Sequence, residues 1–136
     1  MVFDQNPDRL GYLKGTGIEV SENLSLLNNF ENLVEVTGNP EALDAILNES
    51  PAGARILLLG LFYAHGQYTF ENIVAYDKMI VGSVGSAAKH FELAIKLLPR
   101  IDTKFFTEKI LPISEYLQAW EFAKSQKFLK VILEIT

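Results

Sequence analysis

The chain has 136 residues, 49% of them apolar, a net charge of −5 and no cysteine. That length fits one domain able to bury roughly two-thirds of its unfolded surface. The acidic balance argues against a nucleic-acid footprint, and the absent thiols exclude disulfides, thiolate nucleophiles and cysteine-type zinc sites. The longest apolar run, Ile56–Ala64, is far short of the ~20 residues that span a bilayer. Met1 is followed by neither a basic segment nor a signal-type apolar core, so the expectation is a cytoplasmic protein with no membrane and no nucleic-acid partner.

In chain order, Val2-Phe3-Asp4 closes a strand and turns through Gln-Asn-Pro into a helix. Pro7 to Gly15 reads as a short amphipathic helix with Leu10 and Leu13 inward and Gly15 or Gly17 as its stop. Ile18-Glu19-Val20 is a brief strand, and Ser21 to Phe30 a weak helix or loop. Leu33–Thr37 is a strand broken by Gly38-Asn39-Pro40, where Asn39 suits an N-cap and Pro40 the first helical position. Ala42, Leu43, Ala45, Ile46 and Leu47 then recur at helical spacing until Pro51-Ala52-Gly53. Arg55–Leu61 is too continuous for a half-exposed strand. Strand, helix and buried strand within Leu33–Phe62 make a βαβ unit of a parallel sheet, and this unit organises the chain.

His65-Gly66-Gln67 is a loop, Phe70 to Tyr76 fits no single pattern, and Lys78–Val84 is another short strand. Ser86 to Leu98 is a helix with Ala87, Phe91, Ala94, Ile95 and Leu98 on one inward stripe, ended by Pro99. Phe105–Leu111 is read as a strand. Pro112-Ile113-Ser114 opens a helix to about Ser125, with Ser114 capping and Leu117, Trp120 and Ala123 inward. Phe128–Thr136 is a terminal strand. No repeat or interdomain linker is visible.

This order resembles the C-terminal, coenzyme-domain half of the zinc-type medium-chain NAD(P)-dependent dehydrogenases, with the archaeal glucose dehydrogenases most alike. The resemblance is carried by F-D-Q-N-P-D-R-L at 3–10, L-V-E-V-T-G-N-P at 33–40, R-I-L-L-L-G-L-F at 55–62, K-M-I-V-G-S-V at 78–84, and the tail from I-L-P-I-S-E-Y-L-Q-A-W-E-F to K-V-I-L at 110–133. It implies an α/β, incomplete Rossmann-like fold: a mostly parallel sheet with flanking helices and a C-terminal helix–strand tail. One nucleotide-binding-like domain over 1–136 is expected, Rossmann-like over 1–100 and the family tail over 101–136.

The departures are equally informative. In the family a first strand and a G-x-G-x-x-G turn, which cradles the pyrophosphate, precede the stretch matching Val2, and a zinc-bearing catalytic domain precedes both. Here there is no G-x-G-x-x-G, and His65 and His90 are the only histidines. Gly82-Ser83-Val84-Gly85-Ser86 imitates a phosphate turn but lacks the third glycine and the Lys-Ser/Thr of a P-loop; a tight strand–helix corner is the plainer reading. Without the family's first strand, Val2–Asp4 and Leu33–Thr37 stand ~10 Å apart, two strand spacings. The first segment shifts beside Leu33–Thr37, another chain supplies the strand, or the free edge pairs with itself across a two-fold axis. The Lys78–Val84 strand, often a dimer edge in the family, adds to the expectation of a homodimer or a complementary dehydrogenase chain.

The resemblance also assigns residues. Asp4 matches the acid that binds the adenosine ribose and favours NAD over NADP, and Arg9 a basic residue beside it; the plainer readings are a helix-capping Asp and a solvated Arg. Thr37 and Gly38 match the strand end near the adenine. Leu59, Gly60 and Leu61, with Ile80 and Val81, match strand ends whose main chain lines the nicotinamide pocket. Lys130 matches a residue reaching the pyrophosphate, or is simply a surface lysine. Neither His65 nor His90 has a ligand-spaced neighbour. Glu35, inside an apolar strand, must be neutral or paired if buried, unless it faces a loop or helix terminus. Trp120, Phe122, Tyr116 and Phe128 are core or interface. No catalytic or metal residue is assigned, and the isolated chain is expected to bind no cofactor and to be inactive. The chain is then an inactive, oligomeric module. Alternatively it is one half of a split NAD-dependent oxidoreductase, or an adenosine-binding module using Asp4.

Overall fold

In the computed structural model, which describes residues 1–61 and 68–135, the organising unit forms where its residues demand. β3 (Asn32–Glu35) ends before Gly38, whose φ of +68° is a left-handed turn that glycine adopts without steric cost. α2 (Pro40–Glu49) starts on Asn39, whose side chain accepts the Glu41 N–H at 2.9 Å. β4 (Arg55–Leu58) and β5 (Met79–Gly82) complete an all-parallel sheet of order β3-β4-β5. Leu33, Ile56 and Ile80 form one row and Val34, Leu57 and Val81 the next, so the two rows face opposite sides.

One side is covered. Leu33 and Ile56 are buried together with Leu43, Ile46 and Leu47 of α2. α2 also lies against α3 (Glu71–Ala75) and the 3-10 turn Leu24–Asn29, which contributes buried Leu27. Phe70–Tyr76 thus resolves as a short helix, and 21–30 as a 3-10 element of about two turns, Leu24–Asn29. The other side is open: Val34, Val36, Met79 and Val81 are exposed, Val36 to 65%. These elements form a compact unit, Asn23–Ser86.

A second unit comprises Met1–Glu22 and Ala87–Thr136. In it β1 (Val2–Phe3) and β2 (Val20–Ser21) pair in parallel around α1 (Pro7–Gly11). α4 (Ala88–Leu97) is followed by 3-10 turns at Leu98–Arg100 and Lys104–Phe106. β6 (Lys109–Pro112), a 3-10 turn at Ile113–Glu115, α5 (Tyr116–Lys124) and β7 (Val131–Glu134) then make a parallel βαβ tail. Its interior holds Leu111 and Ala119, with Phe122 edge-on to Phe128 at 5.6 Å.

Four expectations are corrected. α1 ends at Gly11 rather than Gly15, because Gly11 propagates a helix poorly and the chain then turns through Gly15 and Gly17 at positive φ. Leu10 is buried there, Leu13 half-buried. The α4 stripe does not point inward: Phe91, Ile95 and Leu98 are all exposed, since no element among the described residues covers them. On α5 the covered residues are Ala119 and half-buried Phe122, three apart on one face. Leu117, Trp120 and Ala123 face solvent, and Ser114 sits in the preceding 3-10 turn rather than capping the helix. Finally, β1 has not moved beside β3: its ladder partner is β2, reinforced by the Val2 N–H to the Glu19 carbonyl at 2.8 Å. Among the described residues the outer edge of β3 has no ladder partner. The loop expected at His65-Gly66-Gln67, and Phe62, lie outside the described residues. Among the described residues no helix is long and apolar enough to cross a membrane.

Candidate functional site at the carboxyl ends of the strands

Of the residues singled out by sequence, Asp4, Thr37, Gly38, Leu59, Gly60 and Leu61 lie just after strands, the end at which parallel α/β sheets place their ligands. In the second unit, Asp4 follows β1 directly. Its Oδ1 accepts the Asn6 N–H at 2.9 Å, and Arg9 Nη1 approaches its Oδ2 at 3.8 Å. The capping of α1 falls to Asn6, whose Oδ1 accepts the Asp8 N–H at 3.0 Å. Asp4 and Arg9 are therefore free of a capping duty, partly exposed, and adjacent to one another. A carboxylate and a guanidinium so placed can accept from neighbouring hydroxyls and donate to an anion.

In the unit Asn23–Ser86 the carboxyl ends of β3 and β4 meet around Glu35. Glu35 is 2% exposed. Its Oε1 accepts the Thr37 N–H at 2.7 Å and the Thr37 hydroxyl, and its Oε2 accepts the Gly38 N–H at 3.2 Å. This settles the alternatives for Glu35: it is buried, and its partners are the donors of the turn entering α2. Its main-chain carbonyl accepts from Leu59 N at 2.8 Å and Gly60 N at 3.2 Å. The Thr37 hydroxyl in turn accepts Asn39 N at 3.0 Å, so that hydroxyl is fully engaged within the turn.

The two strand ends touch through their glycines. A methyl group on Gly60 would collide with the Gly38 main chain and lie 2.6 Å from Glu35 Oε2. One on Gly38 would collide with the Leu61 carbonyl oxygen and sit 3.0 Å from its carbon. Thr37, Gly38, Gly60 and Leu61 are thus brought together, with Leu59 beside them. Ile80 and Val81 instead sit within β5, in register with Ile56 and Leu57, Ile80 half-buried and Val81 exposed. Lys130 is exposed one residue before β7. The ion pairs among the described residues are Arg9–Asp4, Lys104–Asp102 and Lys124–Glu121, and Lys130 belongs to none of them. His90 lies exposed on α4, and no group of three potential metal ligands occurs among the described residues.

Sequence reasoning passed over the opposite end of the same sheet. Lys78, 7% exposed, donates from Nζ to the Leu47 carbonyl at 2.6 Å, the Ser50 carbonyl at 2.8 Å and Ser50 Oγ at 3.0 Å. Burial holds its ammonium below the usual lysine range. Beside it runs an open groove of about 570 Å³ lined by Asn28, Asn48, Asn72, Tyr76 and Lys78 among others. Its polar signal was scattered over three asparagines far apart in the chain, and only the fold assembles them.

Residues 10–135 match the family described as "Glucose dehydrogenase C-terminus". The chain is 29% identical over 117 residues to Glucose 1-dehydrogenase 2 of Vulcanisaeta moutnovskia, covering 78% of this chain and 33% of that protein. It is 26% identical over 118 residues to Glucose 1-dehydrogenase of Thermoproteus tenax, again covering 78% and 33%. The chain thus spans about a third of the length of the curated relatives it matches. Among solved structures, alcohol dehydrogenase TADH from Thermus sp. ATN1 superposes with a TM-score of 0.80 at 17% identity, covering 98% of this chain and 43% of that one. The glucose dehydrogenase from Haloferax mediterranei gives 0.66 at 17% identity over 94% and 39%. The parallel α/β architecture and the match over nearly the full chain lead to one conclusion: this protein belongs to the glucose dehydrogenase C-terminal family.

Proposed function

We propose that these residues form the coenzyme-side module of an NAD-dependent alcohol or sugar dehydrogenase, oligomeric in solution and without oxidising activity by themselves. The observation that carries the reading is the Asp4–Arg9 pair at the carboxyl end of β1, in a chain whose residues 10–135 match the family. A carboxylate there suits the ribose hydroxyls of NAD and repels a 2′-phosphate. The chemistry of oxidation needs more. A zinc ion would polarise the alcohol oxygen, and a glycine-rich turn would hold the pyrophosphate. This sequence has no cysteine and no G-x-G-x-x-G to provide them.

The test is direct. The purified chain, with glucose or ethanol, NAD and zinc, is expected to give no reduced coenzyme, and calorimetric titration with NAD to give no heat. Turnover would defeat the proposal. Heat with AMP would favour an adenosine-binding module that uses Asp4. A second reading is favoured by the outer edge of β3, which has no ladder partner among the described residues: the chain is one half of a split oxidoreductase, completed by a second polypeptide that lends a strand. Mixing with such a polypeptide would then restore turnover. Light scattering separates both readings from a monomer.

A further inference from the structure

The corner built by Glu35 has the composition of an anion site whose anion is already present. Two consecutive N–H groups, Thr37 and Gly38, and the Thr37 hydroxyl all point at one carboxylate. Converging main-chain donors of this kind normally receive a phosphate or carboxylate from solution. Here the protein's own strand supplies it. Through Thr37 the contact continues to Asn39 N, and Asn39 caps α2 at Glu41 N. Through its carbonyl, Glu35 also holds Leu59 N and Gly60 N. One residue therefore ties together the end of β3, the start of α2 and the end of β4. The fit leaves no slack, since a single carbon added to Gly60 meets both Gly38 and Glu35 Oε2.

We propose that Glu35 is a positioning residue: its carboxylate acts as a built-in anion that sets the Thr37–Gly38 turn against Gly60 and so fixes the main chain of the strand-end rim. As a statement about coenzyme contacts this rests on the function proposed above; as a statement about the rim it does not. The geometry also closes this corner to external phosphate, because its donors are spent. Ligands of the rim must then use main-chain carbonyls and Cα surfaces there, with anionic groups held elsewhere.

The experiment is amide hydrogen exchange on the whole chain, wild type against Glu35→Ala and Glu35→Gln. Removing the carboxylate should speed exchange at Thr37 and Gly38, whose N–H groups it accepts, by about ten- to a hundredfold, the weight of one charge-assisted hydrogen bond, and by a smaller factor at Leu59 and Gly60, which bond the Glu35 main-chain carbonyl that the variants keep. The α2 interior and β5 should change far less. The amide of Glu35→Gln can still accept from Thr37 but turns an NH2 toward the Gly38 N–H, so Gly38 should respond most; this variant keeps the side chain's volume and serves if Glu35→Ala fails to fold. Sodium formate should restore protection in Glu35→Ala, and sodium chloride at equal strength should not, because only formate replaces the missing anion. Unchanged exchange at these four amides, a uniform rise across the chain, or equal rescue by chloride would overturn the proposal. Calorimetry with NAD and AMP on the wild type addresses the function separately: its result leaves the exchange result standing either way.

Discussion

Replacing Lys78 by methionine tests the least expected group in the molecule. The lysine Nζ is the donor that closes the carboxyl end of α2, on the carbonyls of Leu47 and Ser50. Without it, the Ser50 carbonyl goes unpaired at about 1–3 kcal/mol, the Leu47 carbonyl keeps only the long Asn72 Nδ2 contact at 3.5 Å, and a favourable charge at a helix carboxyl end, up to ~2 kcal/mol, is lost. Against this, methionine preserves the packing of the stem and removes the burial cost of an ammonium, which is several kcal/mol. The acceptors outnumber what methionine can offer, so the variant should be about 2 kcal/mol less stable by urea denaturation, a large share of a typical 5–15 kcal/mol. The pH dependence has a definite sign. The Lys78 pKa is lowered in the folded chain by burial. Between that lowered value and the ordinary lysine value of ~10.4, the unfolded chain binds more protons. The lysine's contribution to stability therefore rises with pH through this window, and its burial penalty is fully present below the window. The gap between wild type and Lys78→Met should widen from pH 8 to pH 10. A variant equally stable at pH 8, or a gap that narrows with pH, would refute the reasoning.

Further outcomes follow from the same geometry. Asn39→Ala removes the side chain that accepts Glu41 N and should cost about 1 kcal/mol in thermal or urea unfolding, as N-cap losses do. Gly60→Ala forces a carbon into the Gly38 main chain and should cost about 1–3 kcal/mol, in the range of overpacked sites; a neutral result would mean the two strand ends stand apart in solution. Phe91→Ser with Ile95→Ser alters side chains already exposed on α4. A monomer's stability should then move by less than about 0.5 kcal/mol, whereas a shift toward smaller species by light scattering would locate an interface on that helix. Asp4→Asn breaks only a partly exposed ion pair and should change stability by less than about 1 kcal/mol.

The strand cores were legible because burial on a parallel sheet leaves continuous apolar runs such as Ile56–Leu58, although β4 stops at Leu58 rather than Leu61 and leaves Leu59 and Leu61 exposed; the start of α2 was legible because Asn39-Pro40 names a helix start by chemistry rather than by average preference. Helix faces were not. α5 carries Leu117, Ala119, Trp120, Phe122 and Ala123, apolar around most of its circumference, so periodicity alone could not tell that Ala119 faces inward and Trp120 outward. α4 has a true stripe, yet a stripe states only that something should cover it, not that this chain does. Glu35 was conspicuous as an acid inside an apolar strand; its partners two and three residues ahead, Thr37 and Gly38, were a usable signal for a carboxylate folded back onto its own turn. Lys78 gave no such signal. A lysine at the start of a strand is ordinarily exposed, and the acceptors that bury it come from about thirty residues earlier.

Each of the two units leaves apolar side chains exposed. Val34, Val36, Met79 and Val81 on the open side of the sheet, and Phe91, Ile95 and Leu98 on α4, are apolar groups left in water, each worth roughly 1.5–3 kcal/mol if covered. Partial burial of half of them would outweigh the entropic cost of association at its lower estimates, about 4 kcal/mol.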